Sequence, residues 1–288
     1  MQPEFPEVDY LAANPDVAQA VARGDFKSGL HHYEIYGRKE GRLPKPLRRH
    51  RVDGDLRLAV GNFFDDQYLS INGMSSQLAA RCMAEILIWQ GEAGLSGAVL
   101  ELGVFEGRTF VLMALAATGD AVTGIDTFVH PDDDKIDRFR RNLDRFGIDQ
   151  ARVREIKAST LEVSAASLLS TMGSVARFIH VDADHTYESV KHDIALAHQC
   201  LAPEGVLCLD DVLHPVYPGL TLAVHEYLQG NSDLRIFAII DRELVTSSTK
   251  YLVCRVPCVF RRSRPAIPRS CRPGFRDDVA RSSERCWL

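Results

Sequence analysis

No apolar run in this chain approaches the roughly 18 residues that a membrane-spanning helix requires. The opening residues, "MQPEFPEVDY", lack the basic stretch followed by an apolar one that a secretory signal carries. A cytoplasmic protein with no membrane partner is therefore expected. Excess positive charge is also missing. The net charge is -5 over 288 residues, so nothing draws the chain toward nucleic acid or acidic lipid at long range. A small molecule or a glycan is the expected partner, and self-association into a homo-oligomer stays open. Seven cysteines (Cys82, Cys200, Cys208, Cys254, Cys258, Cys271 and Cys286) never pair as Cys-x-x-Cys units, which argues against a structural zinc site. What the chain does have is 45% hydrophobic and 25% charged residues, enough for one sizeable α/β core with a small accessory module.

Turn and breaker residues divide the chain into four parts. Residues 1–45 read as a helical module: Asn14-Pro15, Gly24, Ser28-Gly29 and Gly41 punctuate two short helices, with Val17, Ala20 and Val21 on one face and Leu30, Tyr33 and Tyr36 opposing them. Its Tyr-Leu, Asn-Pro-Asp-Val, His-Tyr and Glu-Gly-Arg pattern resembles a module that recurs beside catalytic domains in bacterial glycan-related proteins. Tyr10, Asp16, His32, Tyr33 and Arg42 take a structural reading there. Residues 46–54 form a basic linker, 55–256 the main domain, and 257–288 an Arg- and Pro-rich tail expected to be poorly ordered.

Within the main domain, "MSSQLAARCMAEILIW" has apolar residues at helical spacing. The period then changes. "GAVLELGVF", "AVTGIDTF", "ARFIHVDAD" and "GVLCLDDV" are short apolar or β-branched runs with helical segments between them, the signature of parallel β-α-β units with helices on both faces. "LRIFAIID" and "KYLVCRV" add two later strands, expected as an antiparallel pair closing one edge. The fold class is α/β and Rossmann-like.

The first segment with chemistry is "VLELGVFEGRTF", in which a strand ends at Glu101-Leu102-Gly103 and Gly107 opens a helix carrying Thr109. Glycines at such a turn let a ligand approach the backbone. The second strand ends at Asp126, followed by Thr127 and Phe128, where a carboxylate can accept from ribose hydroxyls. A dinucleotide site would need a second glycine where Phe105 stands. Glu101 and Glu106 would repel a pyrophosphate, and suit an ammonium and a sulfonium. The segment resembles the first motif of class I methyltransferases, in a Glu-x-Gly-x-x-x-Gly-x-Thr form. The resemblance implies S-adenosylmethionine as cofactor and places Ser159, after the third strand, near its adenine. Ser159 could equally cap the next helix.

Asp182 and Asp184 end the fourth strand, and Asp210 and Asp211 the fifth, on the edge where open α/β sheets bind ligands. Four converging carboxylates repel unless a cation or shared protons intervene, and hard oxygen ligands favour Mg2+. With "PGLTLAVHEYL" these segments resemble macrocin-type, metal-dependent sugar O-methyltransferases and a broader bacterial class with an Asp-x-Asp-His-x-Tyr signature. That resemblance implies Asp182, Asp210 and Asp211 as metal ligands, Asp182 also beside the cofactor, and Asp184 as base with His185 as its rival. His185 departs from the sugar-modifying enzymes, where an apolar residue is common, and Val212 replaces a frequent aromatic. The expected activity is O-methylation of a hydroxyl on a sugar or other small polar metabolite. The alternatives are a metal-independent methyltransferase, a nicotinamide-dependent enzyme and a non-catalytic binding protein.

Overall fold

The computed structural model describes residue 5 and residues 7–37, 54–117, 119–129, 135–241 and 249–256. The expected linker, apart from its last residue, and the expected tail lie outside them.

In the N-terminal module the structure has three helices where two were expected: α1 (Glu7–Ala13), α2 (Pro15–Ala22) and α3 (Gly29–His32), the last continuing as a wider turn through Gly37. Asn14-Pro15 separates the first two. Glu7 ties the module together, its carboxylate accepting from the amides of Gly29 (2.5 Å) and Leu30 (2.9 Å) at the start of α3. Tyr10 and His32 are buried and hydrogen-bonded to each other at 3.0 Å, which makes them core residues.

The main domain begins with α4 (Gly54–Asn62) and α5 (Gln77–Glu92), then alternates: β1 (Ala98–Leu102), α6 (Arg108–Ala116), β2 (Val122–Asp126), α7 (Lys135–Arg145), β3 (Val153–Lys157), α8 (Ala165–Met172), β4 (Ala176–Val181), α9 (Tyr187–Cys200), β5 (Leu201–Val212), α10 (Pro218–Gly230), β6 (Leu234–Ile240) and β7 (Thr249–Arg255). The strands form one sheet in the order β3-β2-β1-β4-β5-β7-β6. All neighbours are parallel except that β7 runs against both β5 and β6, so the late pair does close an edge. Each parallel crossover needs a covering helix, which explains the alternation.

Side chains alternate across the sheet, and two cores result. Val99, Phe178, Val206 and Cys208 face α5, α6 and α7, where Met83, Leu87, Val111, Met113, Phe139 and Leu143 pack. Leu100, Ile179, Leu207 and Val253 face α8, α9 and α10, meeting Leu168, Ile194, Ala197, Leu220 and Val224. Local chemistry sets the helix starts. Ser76 accepts from the Ala79 amide at 3.1 Å to begin α5, and Thr186 from the Ser189 amide at 3.4 Å to begin α9. The order of strands reverses between β1 and β4, which leaves a crevice beyond their carboxyl ends. Among the described residues no helix is long and apolar enough to cross a membrane.

Candidate active site

At that crevice the loop after β1 meets the end of β4. The Asp182 amide donates to the Leu102 carbonyl at 2.7 Å and the Gly103 amide to the Ile125 carbonyl at 2.9 Å, stitching three strand ends together. Gly103 has φ +88, and a Cβ there would stand 1.9 Å from the Asp182 carbonyl oxygen. No other residue fits that approach. Gly107, also left-handed at φ +86, opens α6 against the Phe139 ring, 2.6 Å from where its Cβ would be. Thr109 lies buried in the first turn of α6.

Asp126 organises this loop from the end of β2. One carboxylate oxygen accepts from the amides of Val104 and Phe105, each at 2.8 Å, and the other from the Phe128 amide at 2.6 Å. Beside the ribose contact expected of it from the sequence, Asp126 thus sets the shape of this loop. Phe105 and Phe128 are both held at positive φ (55° and 51°). Phe128 stacks on Phe139, and Phe105 carries the buried Lys135 ammonium 3.5 Å above its ring. Thr127 is exposed. Ser159 accepts from the Leu161 amide at 3.3 Å and so caps the following turn. The neighbouring Ala158 amide donates to the Asp126 carbonyl, which keeps this segment on the same rim.

The two glutamates of the loop separate in role. Glu106 is committed to Arg138 (3.0 Å) and Asn72 (3.2 Å), so it pins α7 and the segment before α5 to the loop. Glu101 lies inside the sheet, 1% exposed. Its Oε1 meets His180 Nδ1 at 2.9 Å, while Oε2 is buried with no partner. Burial pushes its carboxyl up to about 7, with His180 opposing the shift. A buried carboxylate oxygen left unsatisfied at the rim of the sheet fits a cationic group.

Beneath β4 and β5 lies a charge network that the sequence reading missed. His180 sits between Glu101 and Asp210, its Nε2 3.4 Å from Asp210 Oδ2. Lys250 on β7 donates to the same oxygen. Both Lys250 and Asp210 are buried, at 3% and 8% exposure. Burial opposes the His180 charge, but Asp210 and Glu101 outweigh it and raise the ring to about 9. Burial likewise works against the Asp210 charge, and Lys250 with His180 holds its carboxyl well below the usual range. Two signals were present. His180 is an ionisable residue in the otherwise apolar end of β4, two residues before Asp182, and Lys250 is a cation at the head of the apolar run "YLVC" of β7.

At the open side, His185 Nε2 lies 2.5 Å from Asp211 Oδ2 and 3.8 Å from Asp182 Oδ1. These two carboxylates raise the ring to about 10. Burial and the neighbouring Asp210 charge raise the Asp182 carboxyl. His185 also stacks on Tyr217, with ring centres 4.5 Å apart and planes 12° apart. The expected ligands therefore fall into two overlapping trios, His180-Asp182-Asp210 and Asp182-His185-Asp211, whose ligand atoms lie within 4.8 Å of one another. Oxygen and imidazole donors of this kind suit a divalent ion. Asp184, the expected base, is exposed and turned to α9: it accepts from the His185 amide at 2.9 Å and the Thr186 hydroxyl at 2.7 Å. Its slight burial is outweighed by the hydroxyls of Ser189 and Thr186 and by that amide, which lower its carboxyl. These bonds brace the turn that leads into α9, which Thr186 caps.

Comparison with known proteins agrees with the fold. No curated protein sequence matches the chain. The O-methyltransferase from Bacillus cereus in complex with SAH superposes with a TM-score of 0.53 at 12% identity, covering 78% of this chain and 96% of its own. Cofactor-bound Rv0187 from MTB gives 0.50 at 17%, covering 90% and 100%. The O-methyltransferase NovP gives 0.51 at 16%, covering 70% and 97%. The sheet and its flanking helices thus share the Rossmann-like fold of these solved structures, and residues 100–212, from within β1 to the last residue of β5, match the family model described as a methyltransferase domain.

Proposed function

We propose that the chain is an S-adenosylmethionine-dependent methyltransferase that methylates a hydroxyl of a sugar or other small polar metabolite, assisted by a divalent cation. The observation that carries this reading is a juxtaposition at one rim. A glycine-opened loop with an unpartnered buried carboxylate oxygen at Glu101 lies against the acid and imidazole cluster around Asp182. The matched methyltransferase domain and the solved O-methyltransferases of the same fold support it.

Bound S-adenosylmethionine supplies a methyl group on a positively charged sulfur, and a bound cation supplies Lewis acidity toward an acceptor hydroxyl. The chain's own residues bind and orient. Glu101 Oε2 is placed to accept from the amino-acid ammonium. Asp126, through three backbone amides, holds the Val104–Phe105 turn and Phe128 in the shape that Gly103 makes approachable. Asp182, immediately beside Gly103, joins the cofactor side to the acceptor side, where Tyr217 and His185 form a flat wall. Holding two reactants in line supplies most of what such a transfer needs.

The test pairs calorimetry of S-adenosylhomocysteine with transfer of labelled methyl from S-adenosylmethionine to a panel of sugars, nucleotide sugars and phenols. Cofactor binding with transfer to a hydroxyl is expected, and its loss with EDTA and return with added divalent ion. Absence of cofactor binding would sink the reading. A second reading, transfer without a metal, draws on Lys250 and His180, which already neutralise Asp210; unaltered turnover in EDTA would select it.

A further inference from the structure

We infer that the cation partner of this site is held by Asp182, His185 and Asp211, with Asp210 excluded from the ligand set, and that it is a first-row transition ion such as Mn2+ in preference to Mg2+. The inference rests on the methyltransferase reading for its purpose, and on four observations for its geometry.

First, Asp210 is already engaged. Its Oδ2 receives the buried Lys250 ammonium and faces His180 Nε2 at 3.4 Å, and its Oδ1 accepts from the Asp211 amide at 2.7 Å. An internal cation occupies the place that an external one would need. Second, His185 Nε2 is shielded from solvent and lies between two carboxylate oxygens, 2.5 Å from Asp211 and 3.8 Å from Asp182. Donors in adjacent octahedral positions about 2.1 Å from an ion lie about 3 Å apart, and these separations bracket that spacing. Third, the fully buried His180 also presents an Nε2 without a hydrogen bond toward Asp182 and Asp210, so a second ring backs the same cluster. Fourth, Asp211 sits at φ 55, a strained backbone for a residue with a side chain, and that twist turns consecutive aspartates to different partners: Asp210 to Lys250, Asp211 to His185.

Two carboxylates balance a doubly charged ion, and the third donor decides which ion. Mg2+ prefers oxygen and keeps its waters, whereas an imidazole nitrogen moves the preference toward Mn2+ and its transition-series neighbours. Tyr217 stacks on His185 beside this trio, and an ion held there would supply Lewis acidity to an acceptor oxygen next to that ring.

The experiment uses the full chain, stripped with chelator and titrated with Mn2+ alone. Binding is read by loss of the free-ion electron paramagnetic resonance signal, and ligation by nitrogen modulation in the pulsed spectrum. Expected are binding at least about tenfold tighter for Mn2+ than for competing Mg2+, and nitrogen modulation that disappears in His185→Gln with about a tenfold loss of affinity or more. The double variant Asp210→Asn/Lys250→Met, which removes both buried charges together, should bind Mn2+ within about threefold of the parent. Modulation that survives in His185→Gln, equal affinity for Mg2+, or loss of Mn2+ in the folded double variant as large as in Asp182→Asn each overturns the assignment. Circular dichroism confirms that each variant is folded. S-adenosylhomocysteine calorimetry on the same metal-free protein keeps the two proposals apart: cofactor binding without nitrogen ligation removes this ligand set and leaves the methyltransferase reading standing.

Discussion

Replacing Lys250 by Met tests the internal ion pair directly, because the apolar stem is kept and only the charge is lost. Lys250 and Asp210 are both almost fully buried and in contact. Removing one partner of such a pair costs about 3–5 kcal/mol, since the other charge is left in a low-dielectric interior. Asp210 keeps His180 and the Asp211 amide as partners, which places the cost at the lower end, about 3 kcal/mol. For a domain of this size that is a fall of about 6–12 °C in Tm. Adding Asp210→Asn removes the stranded charge while keeping an acceptor for the Asp211 amide, and should recover the parent stability to within about 1 kcal/mol. Urea unfolding of the metal-free protein, followed by circular dichroism, measures all three states of the cycle. A single-variant cost below about 1 kcal/mol, or a double variant no more stable than Lys250→Met, would refute the argument that Lys250 serves Asp210.

Gly103→Ala should abolish S-adenosylhomocysteine binding in calorimetry, because its methyl would lie inside the Asp182 carbonyl oxygen; unchanged affinity would refute the close approach. Asp126→Ala releases three loop amides from a charged acceptor, and at about 1.5–3 kcal/mol per such bond it should weaken cofactor binding by at least about tenfold. Affinity equal to the parent would take Asp126 out of the loop's support. Asp184→Asn should cost about 1 kcal/mol of stability, because the His185 amide and the Thr186 hydroxyl lose a charged acceptor, and leave methyl transfer within about threefold. A fall of 10²-fold or more would restore Asp184 as a general base.

The period of the apolar residues made the α/β alternation and the closing antiparallel pair readable, since burial on both faces leaves a continuous apolar run in each central strand. Roles at the rim were less readable. Asp126 stands where a ribose-binding carboxylate is expected, but which groups reach it depends on the turn at Phe105, and a left-handed phenylalanine has no sequence signature. Glu106 looked equivalent to Glu101 until α7 brought Arg138 across it. Asp210 and Asp211 are adjacent letters, and only the backbone twist between them reveals that they serve different neighbours. Lys250 was invisible as a partner because the pairing of β5 with β7 joins residues about forty positions apart. In the N-terminal module, Asn14-Pro15 was read as a possible helix start, yet a further helix, α1, precedes it, capped onto α3 by Glu7 across a separation that no local rule detects.

The distribution of backbone strain makes the same division from another direction. Among the described residues, the four non-glycine positions with positive φ are Phe105, Phe128, Asp211 and Leu213, and all follow or terminate β1, β2 or β5 at their carboxyl ends. Each costs about 1–2 kcal/mol relative to ordinary backbone, so together they draw several kcal/mol from the stability of the sheet. Phe128 packs into the first core against Phe139, whereas Phe105, Asp211 and Leu213 belong to neither core. Val99, Leu100, Phe178 and Ile179 are satisfied by the strands themselves, well below the rim. Strain of this kind persists only where surrounding structure over-determines it, and here the supports are visible: Asp126 for Phe105 and Phe128, and the Asp210 side chain and Thr221 hydroxyl for the amides of Asp211 and Leu213. The same carboxylates that read as ligands from sequence are thus the struts of a strained rim. Relieving that strain by Leu213→Gly should raise stability in urea unfolding without moving S-adenosylhomocysteine affinity, because Leu213 follows β5, two strands from β1, and the loop after β1 is held independently by Asp126.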